Sequence, residues 1–306
     1  LEGLCDGLLD YCTPRNINLN LPSLRADGFS MSIMEKLQRS RKSSITFAPE
    51  AGTQRLRDAI NKNVTEEDLL KSCRTVFEGG CNAVKLYFML GLPTETDEDV
   101  LGIADLANKV YLCWRQYAVS RARGIRITVS TSFFVPKPFT PFQWEGQITM
   151  EEYQRRVQLL RGAITNKSII YNWHDPDTSY LEAVFARGDR RLAPVIEEAW
   201  RQGAKFDSWS EYFDLERWLT ACRTCGVDPD FYATRERTKD EVLPWSHISV
   251  GVRPAYFWRE REQAYKSVIT PDCRVQCMGC GADRLLECGK CDEALTRRER
   301  AERGEV

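Results

Sequence analysis

The chain has 306 residues, 42% of them hydrophobic, enough to build one large domain or two ordinary ones. A formal net charge of −1 supplies no global field for nucleic acid or an anionic membrane, and no apolar run is long enough to span a bilayer. Twelve cysteines, several in C-x2-C pairs, behind an N-terminus unlike a signal peptide, suit a reducing, cytoplasmic setting and metal ligation better than disulfides.

The first regular pattern after Leu1 is a β-like run at 17–21, closed by Pro22. Residues 29–39 read as a helix with Ile33, Met34 and Leu37 on one face. A second strand at 44–48 stops at Pro49. Thr65 is a good N-cap, and Asp68 completes a short capping box. Leu69, Leu70, Cys73, Val76 and Phe77 then repeat at helical spacing until Gly79-Gly80. Residues 83–90 are nearly all apolar, as in a strand buried on both faces. A helix over 97–119, a β-branched strand over 125–135, a helix over 150–164 and a strand over 168–173 follow.

Five strands separated by helical segments predict a parallel sheet with right-handed crossovers. A complete eight-unit barrel needs roughly 250 residues, so about five units fit ahead of residue 177. Beyond it helices dominate, at 181–186, 193–202 and 215–225, with a strand-like stretch at 243–252 and a charged, solvated tail at 295–306. The fold class is therefore α/β: a partial TIM-like (β/α) barrel lacking its first units over 1–176, a mainly helical extension over 177–268, and a Cys-rich metal knuckle with charged tail over 269–306. Starting at Leu1 with a strand close behind, the chain reads as a portion of a longer protein.

Ligands of parallel α/β sheets sit at the carboxyl ends of the strands. Those ends read Ser23–Asp27, Pro49–Thr53, Gly91–Glu95, Val135–Phe142 and His174-Asp175-Pro176. Most combine a polar or charged group with Gly or Pro. Gly permits close backbone approach and Pro fixes the loop. Any one alone is an ordinary turn; five at one face point to a binding rim.

Two stretches now carry a resemblance. Ala48-Pro49-Glu50-Ala51-Gly52-Thr53-Gln54-Arg55-Leu56-Arg57 and Leu86-Tyr87-Phe88-Met89-Leu90-Gly91-Leu92-Pro93-Thr94-Glu95-Thr96 resemble the rear half of a radical S-adenosylmethionine (SAM) core. Residues 134–144, Trp173–Pro176, Arg187–Arg191, Pro244–Ile248 and Thr270–Arg274 extend the likeness, which covers roughly residues 15 to 281. The subgroup it resembles has a B12-binding-like domain ahead of the core. The resemblance implies a [4Fe-4S] cluster held by three cysteines, with one iron open to SAM, and reductive cleavage of SAM to a 5′-deoxyadenosyl radical. It places Glu50 near the SAM amino acid or ribose, and Gly91, Leu92 and Pro93 at a turn whose backbone approaches the adenine. Arg25 and Asp27 are further candidates for polar SAM contacts. It also implies an electron donor such as flavodoxin or ferredoxin, a substrate of unknown identity and, through an upstream corrinoid domain, cobalamin and methyl transfer. The family's cluster loop has no counterpart here. Cys5 and Cys12 have six residues between them and no third cysteine near, so the cluster ligands are expected upstream and this portion alone is expected to be inactive. Methylthiolation or another RNA modification is the alternative chemistry, and a non-catalytic zinc-knuckle scaffold for RNA or protein is the alternative class.

Cys273-x3-Cys277-x2-Cys280 has iron–sulfur loop spacing, but it follows every barrel signal and therefore reads as a separate metal site. Cys277-x2-Cys280-x7-Cys288-x2-Cys291 has the paired spacing of a zinc ribbon. Zinc on four thiolates leaves Cys273 spare; an auxiliary cluster on Cys273, Cys277 and Cys280 is the other arrangement. His174, beside Asp175 at a strand end, is a candidate acid/base or substrate contact, and equally a loop histidine bonded to backbone. His247 reads as structural, and Cys222-x2-Cys225 on a helix reads as packing. Trp209, Tyr212, Phe213 and Trp218 read as core, and Lys137 as either a carboxylate contact or a solvated lysine.

Overall fold

The computed structural model describes residues 2–15, 17, 45–273 and 275–282. The strand expected at 17–21, the helix at 29–39, the tail at 295–306, and Arg25, Asp27, Cys288 and Cys291 lie wholly or mainly outside these residues. The chain divides into two compact units: Leu1–Phe133 with Tyr153–His174, and Phe134–Glu152 with Asp175–Val306.

The first unit contains α1 (Glu2–Cys12), β1 (Ile45–Glu50), α2 (Gln54–Ala59), α3 (Glu66–Glu78), β2 (Ala83–Leu90), α4 (Asp97–Tyr117), β3 (Arg126–Phe133), most of α5 (Met150–Ala163) and β4 (Ile169–Trp173). The four strands form one parallel sheet in the order β1-β2-β3-β4. Successive strands lie side by side and each crossover carries a helix, as the alternating pattern predicts. This is an α/β sheet consistent with a partial TIM-like barrel.

Local chemistry sets the boundaries. Thr65 and Asp68 form the expected capping box at the start of α3. Thr96 and Asp99 form a second one for α4, directly after the strand-end turn of β2. The helices α3 and α4 pack on each other and on the sheet. Leu69, Cys73, Val76 and Phe77 of α3, with Val100, Ile103, Ala107 and Val110 of α4, are buried.

The two faces of the sheet differ. Ile45, Phe47, Val84, Leu86, Phe88, Leu90, Ile127, Val129 and Phe133 share one face by register and are buried. The other face carries Thr46, Lys85, Tyr87, Met89, Thr128, Ser130 and Ser132, all half-buried or exposed. The expectation that β2 is buried on both faces is therefore wrong. Lys85 and Tyr87 alternate with the buried residues, and period-2 patterning was hidden because Tyr and Met count as apolar.

In the second unit lie α6 (Pro176–Ala186), α7 (Leu192–Arg201), α8 (Leu215–Thr224), α9 (Asp230–Ala233) and α10 (Pro254–Tyr265). One core joins Tyr180, Leu181, Val184, Val195, Trp218 and Tyr232; a smaller one joins Trp144, Leu243, Trp245 and Phe257. Residues 243–252 form turns, not the expected strand. Pro244 has no N–H to donate to a ladder. The Leu243 N–H donates instead to Ser246 Oγ at 3.0 Å, and the Ile248 N–H to the Trp245 carbonyl at 3.0 Å.

Four helices escaped the sequence reading: α1, α2, the four-residue α9 and α10. Thr53 caps α2, and Pro254 opens α10 at its first turn. Cys222 is buried in the unit's main core and Cys225 packs against it, as the packing reading holds. The aromatic group splits. Trp218 is core and Phe213 packs on it, whereas Trp209 and Tyr212 are exposed.

Candidate functional site

The parallel register brings the carboxyl ends of the strands to one edge of the first unit. Glu50 pairs across to Phe88, Leu90 to Phe133, and Thr131 to Trp173. Glu50 ends β1 after an irregularity in pairing and has φ 69, a left-handed conformation unusual for a residue with a side chain. Its carboxylate accepts a hydrogen bond from Lys62 Nζ at 2.8 Å, and both side chains are about a quarter exposed, at 25% and 27%.

Gly91 follows β2 with φ 91, where a side chain would be strained. Its N–H donates to Glu95 Oε2 at 2.7 Å, and the Glu95 N–H donates to the Leu92 carbonyl at 3.1 Å. Leu92 is buried and Pro93 half-buried. The turn is thus closed on itself by Glu95, whose carboxylate also takes the Arg156 guanidinium from α5. Sequence reading quoted Glu95 only as part of the Gly91–Glu95 motif and gave it no role. The motif's terminal acid, four residues after a strand-end glycine, was the available signal.

A second network ties this turn to the loop after β1. Asp99, nearly fully buried, accepts from the Thr96 N–H at 2.8 Å, from Thr96 Oγ1 at 2.9 Å, and from Thr53 and Arg55. Arg55 also donates to the Thr94 carbonyl at 2.9 Å. Burial raises the Asp99 carboxyl, but the hydrogen bonds from Thr53, Thr96 and Arg55 win and hold it below the usual carboxylate value. Gly52 presses against α4 here. A Cβ at Gly52 would lie 2.2 Å from the Asp99 carbonyl oxygen and 2.5 Å from the Ile103 nitrogen.

Glu95 behaves differently. Burial pushes its carboxyl from an ordinary 4.5 up to about 7, against the opposing pull of the Gly91 N–H and Arg156; Asp99 adds to the rise. A group that holds its proton more tightly when folded stabilises the fold fully below the unfolded value of 4.5 and loses that contribution as pH rises through about 7. Unfolding free energy should therefore fall across this window with a slope of up to about 1.4 kcal/mol per pH unit from this group. Glu95→Gln should flatten that slope in urea titrations at several pH values; an unchanged slope would remove Glu95 as its source.

His174 follows β4 at the same edge and is exposed. Its backbone is what the structure holds: its N–H donates to the Thr131 carbonyl at 2.9 Å, and its carbonyl accepts from Tyr153 Oη at 3.1 Å. Asp175 is the N-cap of α6, accepting from the Asp177 N–H at 2.8 Å and the Thr178 N–H at 3.2 Å. Lys137, in the second unit, pairs with Glu182.

The structure thus brings Glu50, Gly91, Leu92, Pro93 and His174 to one edge. Cys273 and Cys277 are exposed and Cys280 half-buried. The backbone of their loop is held by Arg253, which donates to the Gly279 carbonyl at 2.6 Å, and by Arg259, which donates to the Met278 carbonyl at 2.7 Å. Among the described residues no three His, Cys, Asp or Glu side chains converge as metal ligands.

A parallel α/β sheet of this kind is consistent with a partial barrel, and its carboxyl edge is where ligands of such sheets sit. Residues 14–107 match the family model of the radical SAM superfamily, and this stretch contains β1, β2 and the Gly91–Glu95 turn. The superfamily resemblance is thereby shown for this part of the chain. An uncharacterized protein of Methanocaldococcus jannaschii is 28% identical over 194 residues, which are 62% of this chain and 39% of the relative. The chain spans about two fifths of that curated relative's length.

The superfamily implies a [4Fe-4S] cluster and SAM. Cluster irons need thiolates, and the described cysteines of the first unit do not fit. Cys12, Cys73 and Cys81 are buried. Burial raises Cys73 well above the usual thiol value and lifts Cys113 to about 11. Thiols packed in this way are poor cluster ligands, so the described cysteines of the first unit offer no seat for the cluster. The unit does offer features suited to SAM: a strand-end carboxylate at Glu50 and a closely approachable turn at Gly91.

Proposed function

We propose that the first unit is the SAM-holding part of a radical SAM enzyme, whose cluster ligands lie outside the described residues. The observation that supports this best is the coincidence of the Glu50 and Gly91–Glu95 strand ends with the superfamily match, beside a polar, half-open sheet face. On this reading, Glu50 meets the ammonium or ribose of SAM after exchanging Lys62 for it. The Gly91–Pro93 backbone lies along the adenine, and Glu95 and Arg156 keep that turn rigid. The cluster, when bound, supplies the electron that cleaves SAM. The face of Thr46, Lys85, Tyr87 and Ser130 receives a polar substrate.

Methyl transfer assisted by an upstream B12-binding-like domain is the chemistry we favour, with a flavodoxin or ferredoxin as electron donor and a cytoplasmic setting; zinc on the C-terminal cysteines belongs to the same proposal. No helix among the described residues is long and apolar enough to cross a membrane.

The test is anaerobic reconstitution of the full-length protein with iron and sulfide, followed by assay for 5′-deoxyadenosine after adding SAM and dithionite. Product is expected. Gly91→Val should lower its rate at least about tenfold, because a misplaced turn misaligns the bound cofactor. A reconstituted cluster that yields no 5′-deoxyadenosine would contradict the proposal.

A further inference from the structure

The second unit contains a cavity of about 310 Å³ that none of the SAM chemistry uses. Its walls include Phe139, Trp144, Trp245 and Phe257. This is the size of a small-molecule site, and its lining is mostly apolar, with polar groups that include Gln143, Lys239, Glu241 and His247. One of those groups is unsatisfied. Trp144 is buried, and its Nε1–H has no hydrogen-bond partner among the described residues. Trp245, by contrast, donates its Nε1–H to Gln143 Oε1 at 2.6 Å. A buried indole N–H without an acceptor costs free energy, and a ligand acceptor in the cavity would remove that cost.

His247 lines this cavity and also a neighbouring open groove formed by Gly188, Asp189, Arg190, Arg191 and Pro244. The groove is cationic. Arg191 is matched by Asp189 at 2.7 Å. The Arg190 side chain is exposed and has no carboxylate partner among the described residues. Beneath the loop, Arg187 is fully buried and donates to backbone carbonyls, one of them Arg235 at 2.9 Å, with no ion pair among the described residues. The carboxylates that act on it, Glu145 and Glu241, are already hydrogen-bonded to Arg261 and Arg235, and Arg235 and Arg237 add like charge, so the buried guanidinium leaves a positive field. An anion at Arg190 would meet it.

We propose that the second unit binds a nucleotide. Its base enters the aromatic cavity, accepts a hydrogen bond from Trp144 and stacks on the walls. Its phosphate sits in the groove on Arg190 and His247. Aromatic stacking and a charge-assisted phosphate contact are the two halves of nucleotide recognition. The site is built from second-unit residues alone and stands whether or not the chain handles SAM. The nucleotide unit is either free or part of an RNA strand.

Isothermal titration of the full chain with AMP, adenosine, inorganic phosphate and a six-residue oligoadenylate tests this. AMP should bind at least about tenfold more tightly than adenosine, the worth of one charge-assisted contact. Phosphate alone should bind more weakly still. Arg190→Ala and His247→Ala should each weaken AMP about fivefold or more while leaving adenosine unchanged. Both side chains are exposed, so unaltered thermal melting is expected and checks the fold. Tighter binding of the oligoadenylate than of AMP identifies RNA as the source, and the reverse a free nucleotide. Absence of AMP binding, or AMP binding that neither variant alters, would overturn the proposal.

Discussion

Gly52→Ala is expected to destabilise the first unit by about 3 kcal/mol, near the upper end of what overpacking costs. The new methyl would stand 2.2 Å from the Asp99 carbonyl oxygen and 2.8 Å from the Gly102 carbonyl carbon. Both are helix backbone, which cannot rotate away as a flexible side chain can. Relief requires moving α4 or the loop after β1. Either movement breaks the bonds of Thr53 and Arg55 to Asp99, which join the two strand-end loops. If these loops hold SAM as proposed, the variant should lose SAM binding along with stability. Gly162→Ala is the control. That glycine lies within α5 with nothing within 4 Å of an added Cβ, so alanine should stabilise by up to about 1 kcal/mol through helix propensity. Urea unfolding of the two variants should move in opposite directions.

Gly146→Ala should have an effect of similar size, again about 3 kcal/mol, in the second unit. Its Cβ would fall 2.0 Å from the Thr234 carbonyl oxygen and 2.8 Å from the Thr234 carbonyl carbon. The flanking residues are fixed on both sides. Glu145 accepts from Tyr265 Oη at 3.0 Å and from Arg261. The Gln147 N–H donates to the Ala233 carbonyl at 2.9 Å, and its Nε2 to the Phe134 and Ser179 carbonyls at 3.2 and 3.3 Å. The chain cannot shift at Gly146 without breaking several of these bonds. Trp144 meets Trp258 edge to face, with ring centroids 5.1 Å apart. A fall in near-UV circular dichroism, together with a lowered urea midpoint, would mark the displacement. An unchanged midpoint would show that Thr234 can give way.

The parallel sheet was legible because βα alternation leaves few topologies open, and the capping box at Thr65 and Asp68 set a helix start from two residues. The Gly91 turn was legible for the same kind of reason: few residues tolerate its φ. Glu95 was not, because its significance comes from Arg156, 61 residues away in sequence. Asp99 likewise acts through Thr53 and Arg55 on another loop. The stretch at 243–252 misled because its Leu, Trp, Ile and Val look strand-like, whereas Trp245 is anchored through its indole to Gln143, 102 residues away. The helix α1 went unread because Gly3 and Gly7, poor helix formers, interrupt its short pattern. Motif spacing carries local geometry well and long-range polar pairing poorly.

The most direct measurement is hydrogen–deuterium exchange of the full-length protein with and without SAM. If the carboxyl ends of β1 and β2 hold the cofactor, peptides spanning 49–56 and 90–96 should slow together on adding SAM, and Gly91→Val should abolish both changes. Protection that falls elsewhere and spares both segments would contradict the account.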